Sequence, residues 1–251
     1  MHAENQRAWG IFFFLMLLVF AVGGVLQNGC ESTRGHNTVR VPQGHEIRFH
    51  DDVIRLINSS KNNSRAHGGI MLVGSSIFRL WTSAVHDFGE WPTVNHAFGG
   101  ARTWELLENA QELVINFNPK IVICYCGSND INADEGAEDI AGRMQSFMVN
   151  LESALPNVII MYVSINRAPQ KYSRWSVVDE ANERVEWLCN KRSNRYFIDV
   201  NKGLCKEDGI PRMELYQSDN LHFKPQAYTN VFTPMVMNAI REIMSSRSVR
   251  F

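Results

Sequence analysis

The sequence predicts an α/β fold, a three-layer α/β/α sandwich around a mainly parallel five-stranded sheet, preceded by an N-terminal hydrophobic helix. Three observations carry that expectation. Short apolar runs rich in β-branched residues alternate with longer segments of helical period. The 251 residues, 45% hydrophobic and 20% charged, are enough to bury one α/β core and rather few for two. A charge-free apolar stretch stands apart at the start of the chain.

That stretch, "WGIFFFLMLLVFAVGGVL" from Trp9 to Leu26, would extend about 27 Å as a helix, borderline for a membrane span. Arg7 and the α-amine, offset by Glu4, give a weak bias toward a cytoplasmic N-terminus. The reading is a signal anchor or uncleaved signal peptide that leaves the rest extracytoplasmic (periplasmic, extracellular or lumenal). Two alternatives stay open. One is a signal peptide cleaved around Ala21 to Gly24, which would give a secreted domain; the other is a lipoprotein signal ending at Cys30, against which the polar Gln27 counts. A buried core helix fits poorly, because no polar face is left to meet water. Residues 1–30 are therefore the anchor or signal segment, 31–44 ("ESTRGHNTVRVPQG") a polar linker, and 45–251 the domain.

Within the domain, "HEIRFHDDVIRLINSSK" sets Ile47, Val53, Ile54 and Ile57 at helical spacing, a peripheral amphipathic helix. Strand-like runs follow at "GIMLVG" (69–74), "TVNHAF" (93–98), "KIVICYC" (120–126), "NVIIMYVSI" (157–165) and "RYFIDV" (195–200). Amphipathic segments at 103–117, 137–155, 177–192 and 225–244 read as helices. This alternation implies a parallel sheet covered on both faces, with the working residues on loops beyond the C-terminal strand ends.

A formal net charge of −1 offers no electrostatic footprint for nucleic acid. Five cysteines are an odd number for a disulfide framework. Cys124 and Cys126 lie two apart in a strand and should pack on one face as small hydrophobes, while a Cys189–Cys205 bridge is open to a chain outside the cytoplasm. No C-x₂-C spacing occurs, and no histidine pair brackets an acid at helical spacing. Neither a metal nor another cofactor is implied.

The loop rule names where to look for chemistry. After the first strand comes "GSS", after the second "FGGART", after the third "GSND", and before the last helix "SDNLHFKPQAY". Asp219 and His222 can work as a pair: a carboxylate on one ring nitrogen fixes the tautomer, so that the other can take a proton from a hydroxyl. A serine hydroxyl needs such a base at neutral pH. Gly100 lets a backbone N–H approach a ligand closely, and Asn129 offers a side-chain amide. The N–H at the nucleophile, where a helix begins, offers a third donor. Each feature alone reads as ordinary turn punctuation.

In this order, "VGSSIFRLW", "NHAFGG", "GSNDI" and "SDNLHFKPQAY" resemble the SGNH hydrolase superfamily (GDSL-type esterases and lipases), in a branch with Ser in place of the Asp of the first block. The resemblance covers about Gly69 to Ile243 and implies the family's flavodoxin-like fold. It further implies Ser76 as nucleophile, Ser76 N–H, Gly100 and Asn129 as oxyanion donors, His222 as general base and acid, and Asp219 as its orienter. Ser75 stands where the family's usual Asp is not a triad member. Ala97 replaces a common Gly, and "ART" follows Gly100, so the departures bear on substrate rather than on chemistry.

Trp81, Trp104 and Trp175 lie near these loops as pocket residues or as core, and Arg79 and Arg167 as anion contacts or as structural arginines. The expected function is a membrane-anchored serine esterase acting on a small-molecule, glycan or lipid ester. The absence of a long insertion between motifs favours small acyl groups in an exposed cleft. The rival is a non-catalytic, tethered carbohydrate- or lipid-binding module in the same cleft. Oligomeric state has no signature.

Overall fold

The computed structural model describes residues 49–89 and 91–247. The N-terminal anchor or signal segment, the linker, Cys30 and Ile47 lie outside the described residues. Among the described residues, no helix is long and apolar enough to cross a membrane.

The chain alternates as its apolar periodicity requires. Helix α1 (His50–Ser60) leads into β1 (Ile70–Gly74), the short helices α2 (Ser76–Arg79) and α3 (Ala84–Asp87), and β2 (Thr93–Asn95). Next come α4 (Thr103–Glu108), α5 (Ala110–Leu113), β3 (Ile121–Tyr125), α6 (Ser128–Asn132), α7 (Ala137–Ala154) and β4 (Ile159–Val163). Then α8 (Trp175–Asn190), β5 (Arg195–Ile198), α9 (Asn201–Leu204), α10 (Pro225–Ala227) and α11 (Thr233–Arg247) complete the strands and α-helices among the described residues, with short 3₁₀ turns between them.

All five strands are parallel, in the order β2-β1-β3-β4-β5. Every residue of β1, β3 and β4 is buried, because helices cover both faces and leave neither to water. Side chains alternate across the sheet. Met71, Val73, Val122, Cys124, Ile160 and Tyr162 face a core shared with α4, α5, α7 and α8, with α1 packed at its margin. Ile70, Leu72, Ile121, Ile123, Ile159 and Met161 face a second core with α2, α9 and α11. This is the expected three-layer sandwich.

Differences from the sequence expectation have local causes. The helix expected over 103–117 breaks at Asn109, whose amide donates to the Glu105 carbonyl at 2.8 Å and so competes with the backbone ladder. The strand expected over 93–98 stops at Asn95, whose side chain accepts from Ala97 N–H and donates to the Phe78 carbonyl. The helix expected over 225–244 is α10, a wide turn over Tyr228–Phe232, and α11. On α1 the inward face holds Val53, Leu56, Ile57 and Ser60, whereas Ile54 is 41% exposed. The Cys189–Cys205 bridge is not formed: both are free thiols. Cys189 packs in the first core, while Cys205 follows Leu204 of the second, across the sheet. Cys124 and Cys126 share the first core as expected.

The strand order reverses between β1 and β3, so the loops after β1, β2 and β3 meet at the crevice where such sheets bind ligands. Gly74 ends β1 at φ +129°, and a Cβ there would lie 1.9 Å from the Tyr125 carbonyl oxygen. Gly142, inside α7, has open space around it. Gly74→Ala is expected to lower unfolding free energy by roughly 3 kcal/mol or more. Gly142→Ala should raise it by about 0.5–1 kcal/mol through helix propensity. Urea titrations with unchanged slope would check both signs.

Candidate active site

Beyond Gly74 the chain turns sharply. Ser75 is extended, donates its N–H to the Tyr125 carbonyl at 3.0 Å, and offers its own carbonyl to Phe78 N–H and Arg79 N–H. Ser76 is the first residue of α2, a position whose N–H has no acceptor within the helix. The turn separates the two hydroxyls. Ser75 Oγ is buried and has no hydrogen-bond partner among the described residues. Ser76 Oγ, partly exposed, meets His222 Nε2 at 2.9 Å.

His222 is delivered by a closed loop. Tyr216 and Phe223 pair in antiparallel fashion, Gln217 N–H donates to the His222 carbonyl, and Gln217 Nε2 donates to the Phe223 carbonyl, each at 2.8 Å. Inside, Asp219 divides its oxygens. Oδ1 accepts from Leu221 N–H at 3.0 Å and His222 N–H at 2.9 Å; Oδ2 faces His222 Nδ1 at 2.6 Å. Asn220 takes the left-handed conformation, φ 56°, that lets the loop fold over its own carboxylate. Partial burial tends to raise the Asp219 pKa, but the hydrogen bonds from the His222 ring and from the Leu221 and His222 amides outweigh it, bringing it down to about 2. An ionised Asp219 accepts the Nδ1 proton and leaves the Nε2 lone pair for the Ser76 hydroxyl. Such a path can carry a proton from hydroxyl to imidazole while the carboxylate stabilises the imidazolium.

Gly100 has φ +80°, and a Cβ there would lie 2.9 Å from the Phe49 ring. Its neighbour Ala101 offers its carbonyl to Asn129 Nδ2 at 2.9 Å. The two loops are clipped again beneath this contact. Buried Asp130 accepts from Thr103 N–H at 3.0 and 3.1 Å and from the Thr103 hydroxyl. Arg143 donates to the Thr103 hydroxyl at 2.8 Å, lies 3.3 Å from Asp130 and pairs with Glu135. Burial pushes the Asp130 carboxyl up, opposed by the Thr103 hydrogen bonds and the Arg143 charge.

Ser76, His222 and Asp219 are thus in direct contact. Gly100 and Asn129 stand on adjoining loops joined through Ala101, and neither hydrogen-bonds to Ser76 among the described residues. Other supports are absent from the sequence reading. Tyr125 donates to Asn166, and Asn166 reaches the Tyr216 hydroxyl at 3.4 Å, linking β3 to the base of the histidine loop. Gln170 N–H donates to the Asn220 carbonyl at 3.0 Å, and the Tyr228 hydroxyl to the Ile77 carbonyl at 2.8 Å. Asn166 follows a strand, so the loop rule could have found it; Tyr216 and Gln217 carry no local signal.

Trp81 and Trp104 are core residues, not pocket residues: Trp81 is fully buried, stacks on Tyr228 and donates to Asp87 at 2.8 Å, and Trp104 is 3% exposed. Trp175 donates to the Ala168 carbonyl and lies under Arg167. Arg167 is structural, held by both oxygens of Asp179 at 2.7 Å. Arg79 is exposed, and among the described residues it has no hydrogen-bond or ion-pair partner. Among the described residues, no group of three or more His, Cys, Asp or Glu side chains is placed to hold a metal ion.

Residues 73–229 match the model of the GDSL-like lipase/acylhydrolase family. No curated protein matches the chain. Solved structures do. A GDSL-like lipase from Bacteroides thetaiotaomicron superposes with TM-score 0.64 at 15% identity, covering 78% of this chain and 98% of that one. A lipase/acylhydrolase from Enterococcus faecalis gives 0.57 at 17%, covering 70% and 96%. A carbohydrate esterase family 3 protein from Talaromyces cellulolyticus gives 0.56 at 17%, covering 71% and 99%. At these identities the likeness is one of fold.

The depressed Asp219 carboxyl sets a pH window for the loop. With a folded pKa of about 2 and an unfolded value of about 4, its stabilising effect is complete above about pH 4 and lost as pH falls through about 2. Asp219→Ala should therefore melt below wild type by a constant interval from pH 7 to about 5. That interval should shrink toward pH 2 in thermal denaturation, and an interval independent of pH across this range would contradict the assignment.

Proposed function

We propose that this chain, which belongs to the GDSL-like lipase/acylhydrolase family, is a serine esterase that cleaves carboxylic esters through Ser76, His222 and Asp219. The observation that supports this reading is the unbroken path from Asp219 Oδ2 to His222 Nδ1 at 2.6 Å and from His222 Nε2 to Ser76 Oγ at 2.9 Å. Ser76 Oγ attacks the ester carbonyl as His222 Nε2 takes its proton. The oxyanion is met by the Ser76 and Gly100 N–H groups and the Asn129 amide. His222 then protonates the departing alcohol. Water, deprotonated by the same imidazole, hydrolyses the acyl-enzyme and regenerates Ser76.

The side chains of His222 and Asp219 are 24% and 46% exposed, which suits an open cleft and short acyl groups, O-acetyl groups on glycans included. The carbohydrate esterase among the similar folds is in keeping with a glycan substrate, and the lipases with a lipid one. The apolar Trp9–Leu26 run supports an extracytoplasmic, membrane-tethered setting. Fractionation with and without detergent tests that placement.

Ser76→Ala is expected to abolish hydrolysis of p-nitrophenyl acetate and labelling by a fluorophosphonate probe. Ser75→Ala should keep both, with stability unchanged or raised, because a buried unpartnered hydroxyl is removed. Equal labelling of wild type and Ser76→Ala would refute the nucleophile. No labelling of wild type would leave the cleft as a carbohydrate- or lipid-binding site instead. Asn129→Ala should lose roughly 10²-fold or more in kcat, the scale of one oxyanion donor; an unchanged kcat in steady-state assays would make Asn129 a turn residue.

A further inference from the structure

The two arginines near the site part company in the fold. Arg167 is spent on Asp179, whereas Arg79 has no hydrogen-bond or ion-pair partner among the described residues. Arg79 lies one helical turn after Ser76, so both project from one side of α2. Its guanidinium rests on Gly99. A Cβ built at Gly99 would stand 3.0 Å from Arg79 Nε and 3.5 Å from Nη2, so this position is open to the guanidinium because Gly99 has no side chain. Gly99 immediately precedes Gly100, whose N–H faces the oxyanion in the esterase reading.

The same guanidinium lines a cavity of about 510 Å³ formed by Asp52, Arg55 and Leu56 of α1 and the turn from Ala97 to Gly99. Of the charged groups lining it, Arg55 is paired with Asp52 one turn away on α1. Among the described residues lining it, Arg79 is left as the uncompensated charge, and their sum is net positive. Leu56, Ala97 and Phe98 add apolar surface to the same cavity. The turn cannot easily drift away from α2, since Asn95 Nδ2 donates to the Phe78 carbonyl at 2.7 Å and Asn95 Oδ1 accepts from Ala97 N–H at 3.1 Å. The glycine turn and α2 are therefore held together, and Arg79 brings its charge to the open position at Gly99.

We propose that Arg79 is a specificity-determining residue that holds a carboxylate carried by the ester substrate, in the cavity beside Gly99. The inference rests on the esterase reading of Ser76 and narrows its substrate to esters of acidic molecules. A guanidinium presents parallel N–H donors that match the two oxygens of a carboxylate, a geometry a lysine would not supply. The carboxylate can belong to the acyl part or to the alcohol part, and two pairs of esters separate these sources.

The acyl pair is the p-nitrophenyl monoester of succinic acid against its methyl-capped twin. The alcohol pair is p-acetoxybenzoate against its methyl ester. At low ionic strength wild type should favour the charged member of one pair by about tenfold in kcat/KM, the scale of one charge-assisted hydrogen-bonded pair. That ratio should fall to near one in Arg79→Gln, invert in Arg79→Glu and survive in part in Arg79→Lys. Hydrolysis of all four esters with no preference, or a preference kept by Arg79→Gln, overturns the Arg79 assignment and leaves the esterase reading standing. Binding of the same pairs to Ser76→Ala and to Ser76→Ala/Arg79→Gln, followed by titration calorimetry, measures the recognition without turnover. Tighter binding of the charged member that needs Arg79, in a protein whose wild type hydrolyses none of the four, supports Arg79 and overturns the esterase reading alone. Equal binding of the charged and capped members by Ser76→Ala overturns the assignment.

Discussion

The candidate site depends on the close approach of Gly74 to Tyr125 at the last rung between β1 and β3. Gly74 pairs with Tyr125 in the parallel register, and its φ of +129° lets the chain leave the sheet against the Tyr125 carbonyl where a Cβ would collide. Three loops take their positions from this rung. Ser75 N–H donates to the Tyr125 carbonyl, Phe98 N–H donates to the Gly74 carbonyl, and the Tyr125 hydroxyl begins the path through Asn166 to Tyr216. A shift in the rung would displace the serine turn, the glycine turn and the base of the histidine loop together. It falls at the one boundary where strand order reverses, so the crevice and the anchoring point coincide.

The histidine loop meets that frame as a nearly self-sufficient unit. Asp219 organises the backbone with one oxygen and the imidazole with the other, so a short D-x-x-H spacing builds both the turn and the oriented ring. What the loop cannot supply is its distance to Ser76, 146 residues away in the chain. That distance comes from packing: Phe223 and Tyr228 sit in the second core beneath α2, and Tyr228 donates to the Ile77 carbonyl one residue beyond Ser76. The proton path is therefore local in its chemistry and long-range in its alignment.

This division explains what was legible in the sequence. Buried parallel strands are written as uninterrupted apolar runs, so β1, β3 and β4 were readable directly, β2 and β5 followed from shorter β-prone runs in the same alternation, and with them came the loops that carry Ser76, Gly100 and Asn129. Asp219 and His222 were readable because their interaction is short-range. The break at Asn109 was not, since whether an asparagine side chain turns back on its own helix depends on tertiary surroundings. Nor was the fate of Trp81, Trp104 and Arg167, whose surroundings come from other elements, or of Arg79, for which the described residues supply no hydrogen-bond or ion-pair partner. The Cys189–Cys205 bridge, left open on the ground of compartment, does not form for the same reason: an oxidising setting says nothing about which face of the sheet each cysteine reaches. Of the two serines, the motif chose Ser76, and the fold supplies the physical difference, a buried unpartnered hydroxyl at 75 against one in contact with an imidazole at 76.

The buried cluster of Thr103, Asp130 and Arg143 shows where stability yields to geometry. Removing two charges from water costs more than a well-packed apolar pair of the same size would, and burial already pushes Asp130 up and Arg143 down. Yet the cluster lies directly under the loops that carry Gly100 and Asn129, and its hydrogen bonds run between them: Thr103 starts α4 after the glycine turn, and Asp130 follows Asn129. An apolar contact is indifferent to small slides, whereas a carboxylate held by an amide, a hydroxyl and a guanidinium has one good position. In the proposed esterase reading, the donors at Gly100 and Asn129 meet charge developing on a single oxygen and need that position fixed to a fraction of an ångström. On that reading, the electrostatic cost beneath the site is the physical counterpart of the preorganisation proposed above it.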